Sequence, residues 1–539
     1  MSQDPHLIQI RELKDTISQL NETISLLNNN LQESLKREAV MQEQIDYLTK
    51  KLFGRSSEKK TASQIEGQLS LFVEAENEAD PYADEPNDII EIQKHIRKAK
   101  KTNKDKYAGL PVRDVVLELP EADRVCPQCG GRLEEIGREL AREEITYIPA
   151  QMEIVRYYPV SYACRPCCNA ENGFDKGVVI KTKTPKALIP HSPASAPAVA
   201  WVIYQKYNNA MPLYRLEKDW LTLHGVSLTR ATLANWIIYC SEHYFKPLYE
   251  FFHRELLKRK FLMADETRVQ VLKEPERNPE TPSFMWLFRT GEDGEPPIIL
   301  YKYTQTRAKY NAEDFLNGFE GYLETDGYQG YNNLPGVKRC CCWAHVRRAF
   351  IDAIPKGKED SMDEPAVQAV QYCDKLFDYE HISKEKQHTF DERRDYRIKN
   401  AKPVIDAFWN WIDRQHPVKN SRLYKAVNYA LNRKELLETY LEDGRCSLSN
   451  NLSENAIRPF TVGRKNWLFS DTVKGADSSA ICYTMIEMAK AHGLSPFSYL
   501  NFILTNHVGD NPCEKELARL APWSDFVQEH CKSQSGTSK

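Results

Sequence analysis

Between residues 10 and 52 the apolar side chains recur at alternating spacings of three and four. Ile10, Ile17, Ile24, Leu31, Ile45 and Leu52 fall at the first position of a heptad, and Leu13, Leu20, Leu27, Met41 and Leu48 at the fourth, with only Ser34 and Glu38 breaking the seam. A 3.5-residue period held for six heptads predicts a left-handed coiled coil over residues 1–53, roughly 60 Å long at 1.5 Å per residue. Isoleucine at the first position with leucine at the fourth favours a parallel homodimer through residues 10–52. The competing reading is a helix folded back on its own chain.

The period disappears after Gly54. Residues 54–120 are polar and punctuated by proline, which reads as a charged, partly disordered linker. Residues 121–185 form a β-rich module, with stretches such as ITYIPAQMEIVRYYPVSYAC. Residues 186–258 read as helical. Within them PLYRLEKDWLTLHGVSLTRATLANWI gives a helix, a turn at Gly225 and a second helix starting near Ser227 or Thr229, which is helix-turn-helix spacing. Arg230 then stands in the first turn of the second helix, where a DNA-reading motif would use it, although any two helices joined by a glycine turn share this pattern.

From Lys260 the period shortens to that of strands. FLMADET, SFMWLFRT, PIILYKYT, GYLETDGY and VKRCCCWAHV are short apolar runs, with a helix, AEDFLNGF, between the third and fourth. Three strands, a helix and then a strand bearing an acid is how a mixed sheet of ribonuclease-H type begins. Residues 346–445 are charged and helical in composition, with Phe408, Trp409 and Trp411 as aromatic positions, and no run there reads as a strand. The expected fold is therefore multidomain α+β. A ribonuclease-H-like α/β core spans 259–345 and 446–490, split by a helical insertion at 346–445. A C-terminal helical segment and tail occupies 491–539.

Composition changes this picture little. Of 539 residues, 41% are hydrophobic and 28% charged, which suits a globular protein with several cores. No apolar run is long enough to cross a membrane, and Met1 opens no secretory signal, so a cytoplasmic protein is expected. Net charge is −3, which excludes coating nucleic acid by bulk charge. Charge is segregated instead: residues 74–91 carry eight acids and no Lys or Arg, and residues 94–106 carry seven Lys or Arg against one acid. The basic run could meet phosphates. As plain linker segments, both runs would simply be solvated.

The 14 cysteines are unevenly used. Cys126-Pro-Gln-Cys129 and Cys164-Arg-Pro-Cys167 are two knuckles whose four thiolates satisfy tetrahedral zinc, with no open position for catalysis. Cys168 is an alternative fourth ligand, and reduced free thiols are the other reading.

The carboxylates carry the chemistry. Asp265 ends the apolar run Phe261–Ala264, and Asp326 ends GYLET. Acids at the ends of buried strands are costly unless solvated or cation-bound, and two on neighbouring strands repel each other without a cation. Glu454 lies at a helix start in SNNLSENAIRPF, with Ser453 as a possible cap. Three carboxylates from two strands and a helix can hold two Mg²⁺ (or Mn²⁺) ions roughly 4 Å apart. Glu266 and Glu324 flank the aspartates, and strand alternation is expected to point both the other way.

Taken in order, LFGRSSEK, CPQCGG, YACRPC, PLYR with LANW, ADET, TDGYQGY, CWAHVRR, DGR, the asparagine pair, Glu454, RP and GRKNWLF resemble the insertion sequence 66 family of transposases, to about residue 507. Two departures are local: Ser449 stands where many relatives carry an aspartate, and Arg55 is followed by Ser56 rather than a second arginine. The resemblance implies a DDE-type enzyme that cleaves transposon ends and joins them to target DNA. Asp265, Asp326 and Glu454 would be its metal-binding acids, and Cys126, Cys129, Cys164 and Cys167 a structural zinc module. Its expected partners are double-stranded DNA, at transposon ends and target, and small accessory proteins of the same element. Beside the acids, His345, Arg347, Arg348, Asn450, Asn451, Arg458, Arg464, Lys465 and Trp467 are candidate DNA contacts, with Trp467 able to stack on an unpaired base. For His345 a structural role, and for Trp467 core packing, are the competing readings.

Overall fold

Two periods divide the chain after residue 186, and each gives its own kind of element. The computed structural model describes residues 19, 21–28, 30, 34, 41, 152–163, 179–182, 185–358, 361–507 and 512–532. The linker and the four zinc-type cysteines lie outside the described residues. Of the heptad segment, residues 21–28 are helical, and Ile24 and Leu27 are exposed. In the β-rich module, β1 (Ser161–Ala163) pairs antiparallel with β2 (Val179–Lys181), Ser161 opposite Lys181.

The helical region contains α1 (Ala196–Tyr207), α2 (Leu213–His224), α3 (Arg230–Cys240) and α4 (Lys246–Leu257), the last two joined by a π-turn at Ser241–Phe245. Gly225 ends α2 at φ 66°, a left-handed cap that a side chain would resist. Thr229 caps α3, accepting from the backbone of Thr232. The expected helix-turn-helix spacing is therefore present, with Trp220 packed on Trp236 and Arg230 exposed.

The five apolar runs after Lys260 become β3 (Phe261–Val269), β5 (Ser283–Thr290), β6 (Ile299–Thr304), β7 (Gly321–Thr325) and β8 (Val337–Cys341), with a short β4 (Val271–Lys273) after β3 and α5 (Lys309–Phe315) between β6 and β7. Five of them form one mixed sheet in the order β6-β5-β3-β7-β8. β3, β5 and β6 run antiparallel in turn, and β7 and β8 run parallel to β3. The last run is shorter than its sequence suggests. β8 stops at Cys341, and Trp343 already begins α6 (Trp343–Ile351), so His345 lies in a helix turn.

Alternation along β3 splits the interior into two. Leu262 and Ala264 join a large core with α1, α3 and α4, while Phe261 and Met263 join a second core with Trp343, Phe350, Phe408 and Trp409. That second core lies under the helices of the insertion: α7 (Pro365–Glu385), α8 (Phe390–Ile412), α9 (Arg422–Leu431) and α10 (Lys434–Glu438). Buried Arg397 on α8 pairs with Glu380 at 2.7 Å and donates to the carbonyls of Tyr440, Asp443 and Cys446. This ties the insertion to the segment that returns to the sheet.

The chain re-enters through α11 (Asn451–Trp467), then β9 (Ser470–Thr472), which pairs with β4, and α12 (Val473–Ala491). The long α12 lies along β6, where Thr484 accepts from the Tyr301 backbone at 2.9 Å. Helices α13 (Pro496–Thr505), α14 (Glu514–Leu520) and α15 (Asp525–Cys531) finish the described chain. No helix among the described residues is long and apolar enough to cross a membrane.

Candidate active site

The register of β3 on β7 explains why acids 61 positions apart in sequence meet. Phe261, Leu262 and Met263 lie opposite Tyr322, Leu323 and Glu324. The parallel ladder ends at Met263 and Glu324, and the same offset carried two residues further matches Asp265 with Asp326, just past the end of β7. Neighbouring strands stand about 4.8 Å apart, so the two carboxylates share a small space. Asp265 is in the middle of β3 rather than at its end: β3 continues to Val269 in pairing with β5.

Glu454 arrives from the other side of the insertion, on the first turn of α11. Two bonds hold that turn to the sheet. Asn450 donates from Nδ2 to the Ala264 carbonyl at 3.0 Å, and Arg289 on β5 donates to the Leu452 carbonyl at 3.0 Å. Ser453 is not the cap: Asn450 precedes the helix, and Ser453 is buried in the first turn, donating to the Asn450 carbonyl. Asp265, Asp326, Glu454, Asn450, His345 and Arg458 line one cleft of about 310 Å³.

The electrostatics are those of crowded, half-desolvated acids. Burial, then the charges of Glu266, Asp326 and Glu454, push the Asp265 carboxyl up to about 8, against one backbone bond from Glu266 that favours the charged form. Burial pulls the His345 imidazole below its usual range despite Glu454 beside it, so the ring is neutral near pH 7. His345 Nε2 stands 3.6 Å from one Glu454 oxygen and Arg348 3.8 Å from the other. Glu454 Oε1, Asn450 Oδ1 and His345 Nδ1 are buried without a hydrogen-bond partner among the described residues.

Orphaned oxygen donors beside a carboxylate held largely protonated are what a hard divalent cation would relieve. The donor set therefore fits such an ion. Among the described residues, however, no three of these side chains are already gathered at ligating distance.

The flanking glutamates differ from the expectation. Glu266 also lines the cleft, but Arg307 holds it from Nε at 2.7 Å and Tyr331 donates to its other oxygen. Glu324 stands two residues before Asp326, so alternation puts it on the same face rather than the opposite one. It is separated by depth, fully buried near Cys340 and Arg397, and burial raises its pKa well above the usual range.

Three arginines that the sequence reading passed over position the acids. Arg339 donates to Thr325 Oγ1 at 2.8 Å and to the Asp326 carbonyl, and Arg433 donates to the Gly327 carbonyl at 3.1 Å. Together they clamp the loop that carries Asp326, as Arg289 clamps α11. Arg289 and Arg339 could have been noticed as charges inside apolar strands, but nothing in the sequence marks Arg433.

A family model described as "Transposase IS66 family" matches residues 191–478, which include every residue of this cleft. The chain belongs to that family. A model described as "zinc-finger binding domain of transposase IS66" matches residues 123–168, spanning Cys126, Cys129, Cys164 and Cys167, and "Transposase C of IS166 homeodomain" matches residues 41–115. Similar proteins include "Uncharacterized protein y4jD" of Sinorhizobium fredii, 28% identical over 432 residues (77% of this chain and 80% of that one). "Uncharacterized protein y4hP" of the same organism is 24% identical over 503 residues, 89% of this chain and 87% of that one.

The remaining candidates of this IS66-family chain scatter. Arg458 lines the cleft wall, while Asn451 and Lys465 are exposed on α11. Arg347 turns to Asp374 on α7, and Arg464 braces α11 against β3 through Thr267 Oγ1 at 3.0 Å. Trp467 packs edge-on against Tyr207 at 6.1 Å and beside Tyr483, under the Lys206 ammonium. Its indole is committed to the core margin.

Proposed function

We propose that this IS66-family protein is a DDE-type transposase that hydrolyses phosphodiester bonds at transposon ends and joins the resulting 3′-hydroxyls to target DNA. One observation carries the reading: Asp265, Asp326 and Glu454, 61 and then 128 positions apart, line one cleft. The sheet order, with an acid on the central strand, another after its parallel neighbour and a third on a helix beyond an insertion, supports a ribonuclease-H-like core. These three carboxylates would hold two Mg²⁺ or Mn²⁺ ions, which supply Lewis acidity for the attacking water or 3′-hydroxyl and for the departing 3′-oxygen.

The chain's own residues do the rest. Asn450 and Arg289 hold the α11 turn, and with it Glu454, against the sheet. Arg339 and Arg433 hold the Asp326 loop. Arg348 and neutral His345 orient Glu454, and Arg458 supplies a cation to the cleft wall where a scissile phosphate would pass. Asp265, largely protonated without a cation, would lose its proton to solvent in holding one. Arg230 on α3 and Lys465 on α11 are the proposed contacts to duplex DNA. The four thiolates of the zinc module serve structure, and residues 10–52 pair two copies of this cytoplasmic enzyme.

Strand transfer on duplexes carrying the element's ends, with Mg²⁺, tests the assignment. Asp265→Asn should reduce cleavage and joining by several orders of magnitude while DNA binding persists. Undiminished joining in that variant would refute it.

A further inference from the structure

The sequence offered Trp467 as a base-stacking residue, but its ring is spent on Tyr207 and Tyr483. The two residues after it are in the opposite condition. Leu468 is 64% exposed and Phe469 43% exposed. Leu468 has φ 69° and ψ −49°, and the Phe469 N–H donates to the Trp467 carbonyl at 2.8 Å. Together these make a γ-turn of the positive-φ kind, which is rare and strained, and here it is centred on a leucine where glycine would relieve it. The fold thus tolerates backbone strain and, at the same two positions, leaves two large apolar side chains in water.

The surroundings choose the occupant. Lys465 in the last turn of α11, Arg268 near the end of β3 and Lys474 at the start of α12 are exposed. Lys206 sits 5.7 Å from the Trp467 ring, and the nearby acid Asp471 is paired with Lys273 at 2.8 Å. An apolar tip flanked in the chain by the exposed cations Lys465 and Lys474 matches nucleic acid, whose phosphates surround apolar base faces. The tip also ends the helix whose Glu454, Arg458 and Thr461 line the acid cleft, about 10 Å beyond Thr461 at 1.5 Å per residue. We infer that Leu468 and Phe469 are a wedge that enters the base stack of DNA bound along α11 and holds the end of the duplex unstacked beside the cleft. This rests on the proposed action on DNA ends.

The test uses the full chain and an end-containing duplex with 2-aminopurine at its terminal positions. Wild type should raise the fluorescence on binding. The double variant Leu468→Ala, Phe469→Ala should lose most of that rise and roughly tenfold in cleavage of the paired duplex, the size of one lost base–aromatic stack. Cleavage of the same end made with unpaired terminal bases should be restored to near wild type. Leu468→Gly, which relieves the turn, should raise Tm and still unstack poorly. Two results would overturn the wedge: an unchanged fluorescence rise in the double variant, or a cleavage defect that unpaired ends do not rescue, as expected if the tip meets a protein or only packs. Unstacking without metal-dependent cleavage would sink the transposase chemistry and leave the wedge standing.

Discussion

Asp265 is the most informative single residue, because its titration reports what the cleft is built to hold. Its carboxyl lies near 8 in the cation-free fold, against about 3.9 in an unfolded chain. The folded state therefore binds the proton more tightly, and the stability this contributes is complete below about pH 4 and lost as pH rises towards 8. Without divalent ions, the Tm of wild type should fall across that window more steeply than that of Asp265→Asn, which cannot ionise. Parallel curves would mean that the carboxylate is not desolvated as the cleft implies. Added Mg²⁺ should flatten the wild-type curve and leave the asparagine variant nearly untouched, since only the charged form rewards a cation. Residue identity alone was a poor guide to role at this scale. Arg347, Arg464 and Trp467 have the chemistry of DNA contacts and are used within the fold, and Glu324 shares a face with Asp326 but lies too deep to reach the cleft.

At the scale of elements, the site depends on how α11 is seated. Its N-terminal turn is fastened by Asn450 to β3 and by Arg289 to β5, both through side-chain donors to backbone carbonyls. Asn450→Ala removes a buried bond and leaves the Ala264 carbonyl without that donor, a cost of about 1–3 kcal/mol. The variant should unfold at correspondingly lower denaturant, and cleavage should fall further than stability accounts for, because the turn carrying Glu454 then loses its side-chain tie to β3. A variant with wild-type turnover and midpoint would show that the fastening is dispensable. Most elements here were legible from periodicity: the five strands of the sheet, the Gly225 turn and the helical insertion. Boundaries set by tertiary contact were not. β4 and β9 are three residues each and exist only through each other, so no local pattern announces them. β8 gives way to α6 inside a continuous apolar run, because burial beneath the insertion suits helix and strand alike. Asp265 looked like a strand end because sequence cannot distinguish an acid that stops a strand from one carried within it.

For the whole molecule, the decisive feature is that the proposed catalytic acids are split between segments by a helical insertion that shares a core with one face of the sheet, yet the heptads lie far away in sequence, before residue 53. The described helix at 21–28 leaves Ile24 at 54% and Leu27 at 60% exposure, first- and fourth-position residues of the heptad. Fully burying one such side chain is worth about 1.5–3 kcal/mol, which the proposed pairing with a second copy along the heptads would supply. A transposase that joins two ends into one target needs two active sites held together, whereas nicking a single end needs only one cleft. Pairing and chemistry should therefore separate. The full chain carrying Ile24→Lys and Leu27→Lys should sediment as a monomer at concentrations where wild type is a dimer. It should keep metal-dependent nicking of single ends and lose concerted joining of two. If the variant stays dimeric, the association lies elsewhere. If it becomes monomeric and still joins paired ends, the coiled coil does not organise the reaction.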